Sequence, residues 1–178
     1  MVVKDEGRDF EPIPTGGQQA VCNAIHDLGM QEGFGGKPTH KVVLVWELAE
    51  RRTLGDFAGQ RFIVCKKYTA SLNERANLSK DLESWRGKAF TPEQRKGFEM
   101  SVLVGANCNL NMVEKTGNAG KTFVNVASIS GLIKGQKKME PEQPGYMPKW
   151  IADMLINVEA GDSNAPEFDD DDSIPFWG

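Results

Sequence analysis

The feature that most constrains this chain is a set of five apolar segments with the character of β-strands, two of which, residues 18–30 and 107–114, alternate between apolar and polar side chains. Successive side chains of a β-strand point to opposite faces, so this alternation predicts strands that bury one face. The two clearest segments, residues 40–49 and 61–71, are rich in β-branched and aromatic residues. The other predicted strands span residues 18–30, 107–114 and 121–129. The second strand is apolar almost throughout, which predicts that both of its faces are covered.

Between the third and fourth strands the apolar period changes to that of a helix. Four apolar residues share one helical face, and a glycine follows as a predicted helix end: Leu72, Leu78, Leu82, Trp85 and Gly87. A second helix is predicted to begin at Thr91 and Pro92, with a capping box to Gln94, and to end near Gly105. This order of elements predicts a mainly β fold: a five-stranded Greek-key oligonucleotide-binding (OB) barrel with a helical insertion between strands 3 and 4.

Composition divides the chain into four predicted parts. Residues 1–17 form an irregular lead-in, and residues 18–135 form the OB domain. Residues 136–158 are rich in proline and lysine and form a linker whose apolar end, around Trp150, Ile151 and Met154, docks on the domain. Residues 159–178 form a disordered acidic tail, because their acidic residues have no basic partners nearby and few apolar groups to bury.

Several classes of protein are disfavoured by what the sequence lacks. The chain has no run of eighteen apolar residues, and its first residues lack an apolar signal region, which predicts a cytoplasmic protein without membrane contact. No phosphate loop, nucleophile elbow or His-x-x-x-His pair is present, so we predict neither an enzyme nor a cofactor. Cys22, His26, Cys65 and Cys108 could in principle hold zinc, but no Cys-x2-Cys pair exists, and buried reduced thiols are the preferred interpretation.

The charge is segregated along the chain. Residues 159–178 hold seven acidic residues and no basic ones, whereas residues 1–158 hold 18 acidic and 21 basic residues, a net charge of +3. A basic body with an acidic tail is typical of chains that handle polyanions, since the tail can compete for the body. A tail that serves solubility is the alternative, but it would not need the large apolar groups at its end: Ile174, Phe176 and Trp177.

The tail and parts of the body resemble known proteins. Four carboxylates and the apolar residues after them are similar to the acidic tip of bacterial single-stranded DNA-binding proteins: Asp169, Asp170, Asp171, Asp172, Ile174, Pro175 and Phe176. Residues 68–72, 77–87 and 120–126 resemble phage-encoded single-stranded DNA-binding proteins with an OB fold, over roughly residues 18–135. The bacterial tips end in Phe, whereas Trp177 and Gly178 follow here, which favours a phage-specific partner or an intramolecular role for the tail. The compartment implied is the host cytoplasm.

Binding of a single strand needs cations for the phosphates and aromatic faces for the bases. The candidates on the second, third and fifth strands and in their loops are Lys41, Trp46, Arg51, Arg52, Arg61, Phe62, Lys66, Lys67, Tyr68, Lys115, Lys121 and Phe123. Trp46 shares an apolar face and is better explained as core, Phe62 and Phe123 fit either role, and Tyr68 is expected to be exposed for stacking. Lys66 and Lys67 alternate to opposite faces, so at most one can line a given groove.

The leading hypothesis is a protein that binds single-stranded DNA without sequence preference in phage replication or recombination. Its tail residues, from Asp169 to Trp177, would recruit replication or recombination proteins or regulate access to the groove. Two alternatives stay open: an interaction protein of the replisome or a recombinase, and an RNA-binding or strand-annealing protein. A homo-oligomer is compatible with the sequence.

Overall fold

Five β-strands dominate the computed structural model, which describes the backbone of residues 11–160 and their side chains except at residues 34 and 156–160. The strands are β1 (Gly16–Glu32), β2 (Pro38–Arg51), β3 (Arg61–Thr69), β4 (Asn107–Thr116) and β5 (Thr122–Ser130). Helices α1 (Asn77–Arg86) and α2 (Pro92–Lys96) lie between β3 and β4, and α3 (Lys149–Ala160) follows β5. The predicted order of five strands with helices after the third is confirmed. No helix among these residues has the length and apolar character that crossing a bilayer requires.

The strands form one antiparallel sheet with the order β3-β2-β1-β4-β5. β1 lies at its centre and pairs with β4 through Gly16–Val21 and with β2 from Ala20 to Glu32. Its register shifts at Cys22/Ala24 and at Asp27/Gly29, and such bulges bend a strand. The hydrogen-bonded order ends at β3 and β5, so the sheet is not closed within residues 11–160, although these two edges come within 8 Å between Cα atoms.

The main core lies on the inner face of this bent sheet. Alternate residues of β2, including Leu44 and Trp46, pack with residues of β4 and β5 against Leu82 and Trp85 of α1. The rings of Trp46 and Trp85 lie 6.2 Å apart between centroids, and the Trp85 indole N–H donates to Asn107 O at 2.9 Å. α1 therefore lies against both halves of the sheet and contacts both edge strands.

The ends of the two connecting helices follow from their sequences. α1 ends at Gly87, whose φ of 75° is accessible to glycine without strain, and the Gly87 N–H donates to Glu83 O. α2 begins with the predicted capping box: the Thr91 hydroxyl accepts from Gln94 N, and the Gln94 side chain accepts from Thr91 N.

A second, smaller apolar cluster lies on the outer face of β1, β2 and β3. Val43, Val45 and Cys65 pack there against Ile151 and Met154 of α3. Every residue of β2 from 42 to 48 is buried, which confirms that both faces of this strand are covered. Residues 139–148, which we call the covering segment, cross the same face before α3 begins and bond to β1 and β2.

Candidate nucleic-acid interface

The three predicted aromatic residues on β2 and β3 are part of the core. Trp46 and Tyr68 are 0% exposed and Phe62 is 2% exposed. The prediction that Tyr68 is exposed is wrong, because Asp81 of α1 meets its hydroxyl group: Tyr68 Oη donates to Asp81 Oδ2 at 2.7 Å. A phenol can be buried whole when its hydroxyl has such a partner. None of these three rings is placed to stack on a base.

The lysines of β2 and β3 are engaged by neighbouring side chains. Lys66 Nζ lies 2.8 Å from Asp81 Oδ2 and 5.1 Å from the centroid of the Tyr68 ring. Lys41 Nζ donates to Thr69 Oγ1 at 3.0 Å. Lys67 is half-buried on the outer face, directly across from Val43. These cations therefore support the packing of their own strands.

Two predicted phosphate contacts, Arg51 and Arg61, hold the covering segment instead. Arg51 donates to both carboxylate oxygens of Glu142 and to Gly59 O, the last at 3.0 Å. Arg61 donates to Glu140 O at 2.7 Å, and its side chain is only 13% exposed. The bond from Arg51 lowers the pKa of Glu142 below its usual value, so this carboxylate stays ionised at neutral pH.

A buried carboxylate on β2 explains why the covering segment lies where it does. Glu47 is 1% exposed, and a charge in that position needs hydrogen bonds. Its oxygens accept the backbone N–H groups of Glu142, at 2.9 and 3.0 Å, and of Gln143, at 3.1 Å. Asn23 and Arg61 lie beside it at 3.3 and 3.4 Å. This face of the sheet is therefore closed by well-bonded backbone, and a nucleic acid has no access to it in this conformation.

The β2–β3 loop holds the remaining predicted cation of this half of the sheet. The guanidinium carbon of Arg52 lies 5.1 Å from the centroid of the Phe62 ring. Phe57 in the same loop is 53% exposed and was not among the sequence candidates. Its position in a loop that begins with two arginines is the sequence pattern that could have indicated Phe57 as a candidate for stacking with a base.

A different part of the outer surface remains open. We call it the basic face: the outer side of β4 and β5 together with residues 131–138. Along β4 the outward side chains Asn111, Val113 and Lys115 are all exposed. Lys115 lies directly across from Phe123 in the register, so the two share this face.

The ring of Phe123 is half-buried against the β4–β5 hairpin. A Cβ atom on Gly117 would come within 2.7 Å of Phe123 Cε1, so the ring can lie on the hairpin backbone only because residue 117 is glycine. Lys121 in the same hairpin is exposed. This hairpin therefore combines an aromatic surface with two cations.

Residues 131–138 bring three more lysines to the basic face. Asn109 and Gln136 exchange two amide hydrogen bonds of 2.8 Å, and Asn109 Nδ2 also donates to Gly131 O at 3.2 Å. The Gln19 amide donates to Lys137 O, which ties the segment to β1 as well. The side chains of Lys134, Lys137 and Lys138 are exposed. Their backbone is thus fixed while their charges face solvent.

The net positive charge of the body is concentrated on this face. Residues 107–138 hold five lysines and a single acid, Glu114, a net charge of +4; residues 11–158 hold 19 basic and 15 acidic residues, also +4. Glu114 alternates onto the other side of β4. None of the five lysines forms an ion pair with another of residues 11–160. From Asn109 to Lys115 the strand extends about 20 Å.

The three cysteines are buried and form no disulfide. Burial raises the pKa of the Cys22 and Cys65 thiols to about 12, so both are protonated at neutral pH. Among residues 11–160, no three His, Cys, Asp or Glu side chains come together as metal ligands would. His26 Nε2 lies 2.8 Å from Tyr146 O and so helps to hold the covering segment.

The predicted partner-binding tail, from Asp169 to Trp177, lies outside the described residues. No protein-family model matches the chain. No curated protein matches it either.

Proposed function

We propose that this chain binds single-stranded DNA without sequence preference and that the strand lies on the basic face. The observation that carries the proposal is a track of five exposed lysines without carboxylate partners among residues 11–160, beside Phe123, on an open sheet surface. Cations along a track bind the phosphates of any sequence, and an aromatic face stacks with any base.

We further propose that the fold is an OB barrel that is open between β3 and β5. The order β3-β2-β1-β4-β5 has the connectivity of such barrels, and α1 lies between the third and fourth strands, as their helix does. The long, bulged β1 pairs with both halves, which is what bending a five-stranded sheet into a barrel requires. These features support the resemblance to phage single-stranded DNA-binding proteins.

The covering segment shifts the proposed binding surface within this fold. Because it closes the outer face of β1, β2 and β3, the strand would follow β4, β5 and the β4–β5 hairpin. Arg51 and Arg61 then have a structural role, whereas Lys115 and Lys121 contact phosphates and Phe123 stacks with a base. A DNA strand of a few nucleotides would span this track, within the range of about 4–16 nucleotides seen for OB folds.

The tail completes the proposed function in replication or recombination. Its seven acidic residues and terminal aromatic groups would either recruit a partner protein or compete with DNA for the basic face. Replacing Phe176 and Trp177 by alanine in the full chain separates the two roles. If the tail competes, the variant binds DNA more tightly; if the tail only recruits, DNA affinity is unchanged.

The direct test is fluorescence anisotropy of labelled oligo-dT of about 20 nucleotides with the full chain, at about 50 and 200 mM salt. We expect binding at micromolar protein or below at the lower salt, weaker binding at the higher salt, and weak competition by duplex DNA. Absence of binding at the lower salt would contradict the proposal and favour a protein-interaction role. Stronger competition by RNA than by DNA would favour an RNA-binding role.

A further inference from the structure

A cavity of about 470 Å³ lies at the end of the sheet opposite the β4–β5 hairpin. β1, β2, the β3–α1 loop, the start of α1 and the residues after α2 form its walls. Its apolar lining includes Ile25, Val42, Leu72, Leu78, Phe98 and Met100. A cavity of this size and character can take a bulky apolar side chain or a small ligand.

The polar groups at this cavity give it a negative character. Asp27 accepts from Gly29 N at 2.7 Å and lies 2.6 Å from His40 Nε2. The Gly29 N–H and the His40 ring lower the pKa of Asp27, and the Ser101 N–H lowers that of Glu99, so both carboxylates are ionised at neutral pH. No lysine or arginine of the described chain lines the cavity, and His40 is its one basic group.

Exposed apolar side chains occur at or next to residues that line the cavity. Val104 lines the cavity and is 44% exposed, and Val102 nearby is 64% exposed. Met30, which lies across from His40 in the register, is 59% exposed. The backbone next to Val104 is held by β1, because Gly105 N donates to Cys22 O at 2.8 Å. Exposed apolar side chains beside a cavity are typical of a surface that contacts a partner.

We infer that this cavity docks a partner protein through a peptide segment in which a bulky apolar side chain is flanked by lysine or arginine. The apolar side chain fills the cavity, and the flanking cations lie near Asp27 and Glu99. The same carboxylates repel a DNA strand, and they repel the chain's own tail, which has seven acidic residues and no basic ones. The site is thus separate from the basic face in place and opposite to it in charge.

The test compares two probe peptides on the full chain by methyl NMR: acetyl-Lys-Lys-Leu-Phe-Lys-Lys-amide and acetyl-Glu-Glu-Leu-Phe-Glu-Glu-amide. We expect the cationic peptide to shift the methyl signals of Ile25, Leu72 and Met100 saturably, and the acidic peptide to leave them unchanged. No DNA is present in this test, so the result does not depend on the proposed DNA binding.

Two sets of variants make the test specific. Asp27→Asn with Glu99→Gln removes two charges and should weaken the cationic peptide about tenfold, at about threefold for each exposed charge pair. The matched control, Glu50→Gln with Asp56→Asn, changes the same charges elsewhere on the surface and should leave the affinity unchanged. Ala70→Trp places a large side chain in the lining and should block the peptide while the core methyl signals stay in place.

Several results would overturn the inference. The first is a failure of the cationic peptide to shift the methyl signals of the lining residues at concentrations up to roughly millimolar. The second is binding of the acidic peptide as tightly as the cationic one. The third is an equal affinity of the double variant and of its control for the cationic peptide. Shifts of the same methyls with protein concentration alone, without peptide, would assign the cavity to a second copy of this chain instead.

Discussion

Replacing Lys134, Lys137 and Lys138 together by glutamine should flatten the salt dependence of DNA binding. The three side chains are exposed, and the segment that carries them is held by Asn109 and Gln136 and by the backbone oxygen of residue 137. The substitutions therefore remove charge without removing the bonds that position the segment. The fold, measured by urea unfolding, should be unaffected.

The magnitude follows from the number of cations on the basic face. Each phosphate contact to a single strand contributes about −0.7 to the slope of log affinity against log salt, so five lysines give about −3.5 and the remaining two about −1.4. Raising the salt from about 50 to 200 mM should thus weaken the original chain about 130-fold and the triple variant about sevenfold.

The assay is anisotropy of labelled oligo-dT at several salt concentrations between these limits. The matched control replaces Arg75, Lys80 and Lys88 by glutamine; these three residues lie on or beside α1, are exposed, and carry the same total charge. A control that flattens the slope as much as the triple variant does would show that net charge, rather than the basic face, determines binding. An unchanged slope in the triple variant would show that these three lysines do not contact the phosphates.

Three further predictions address single residues. Glu47→Ala leaves two N–H groups of the covering segment without their acceptor and removes the carboxylate beside the Arg61 guanidinium, so it should cost about 3–5 kcal/mol of unfolding free energy in urea. Glu50→Ala on the exposed end of β2 should change that free energy by about 0.5 kcal/mol at most, and similar losses in the two variants would contradict the buried network. Phe123→Ala should weaken oligo-dT binding by about 1–3 kcal/mol, and Phe57→Ala, away from the basic face, should not; the reverse order would move the stacking site to the β2–β3 loop. The pKa of Glu142 is lowered in the folded state, so its ion pair contributes fully to stability above the unfolded-state pKa of about 4.3 and is lost as the pH falls through the lower folded-state pKa. Plots of unfolding free energy against pH for the original chain and for Glu142→Gln should therefore converge in acid. Parallel plots would argue against the ion pair.

Local pattern predicted most of the strands because their β-branched, aromatic and other apolar residues are typical of strands. The predicted strands at residues 40–49 and 61–71 correspond to β2 and β3 as observed, within a few residues at each end. β1 is longer than the predicted residues 18–30, since its bulges interrupt the alternation without ending the pairing. The first helix begins at Asn77 rather than near Leu72, because Leu72 packs against the core from a loop.

Contacts between distant residues could not be predicted in this way. The proline-rich composition of residues 136–148 indicated irregular backbone, but nothing local indicated that Glu47 would bond to residues 142 and 143. The burial of Tyr68 depends likewise on Asp81, which a separate helix supplies. The buried position of Trp46 was predictable, because its apolar neighbours on the same strand face were already visible in the sequence.

The covering segment and α3 also determine the order in which the protein can be completed during synthesis. All five strands are synthesised before the residues that cover Val43, Val45 and Cys65. This apolar face of the nascent sheet therefore stays exposed until α3 has been synthesised. A polypeptide that stops after β5 would contain all five strands and would still expose an apolar, aggregation-prone surface. Expression of residues 11–160 rather than of the strands alone is therefore the sound choice for a minimal fragment.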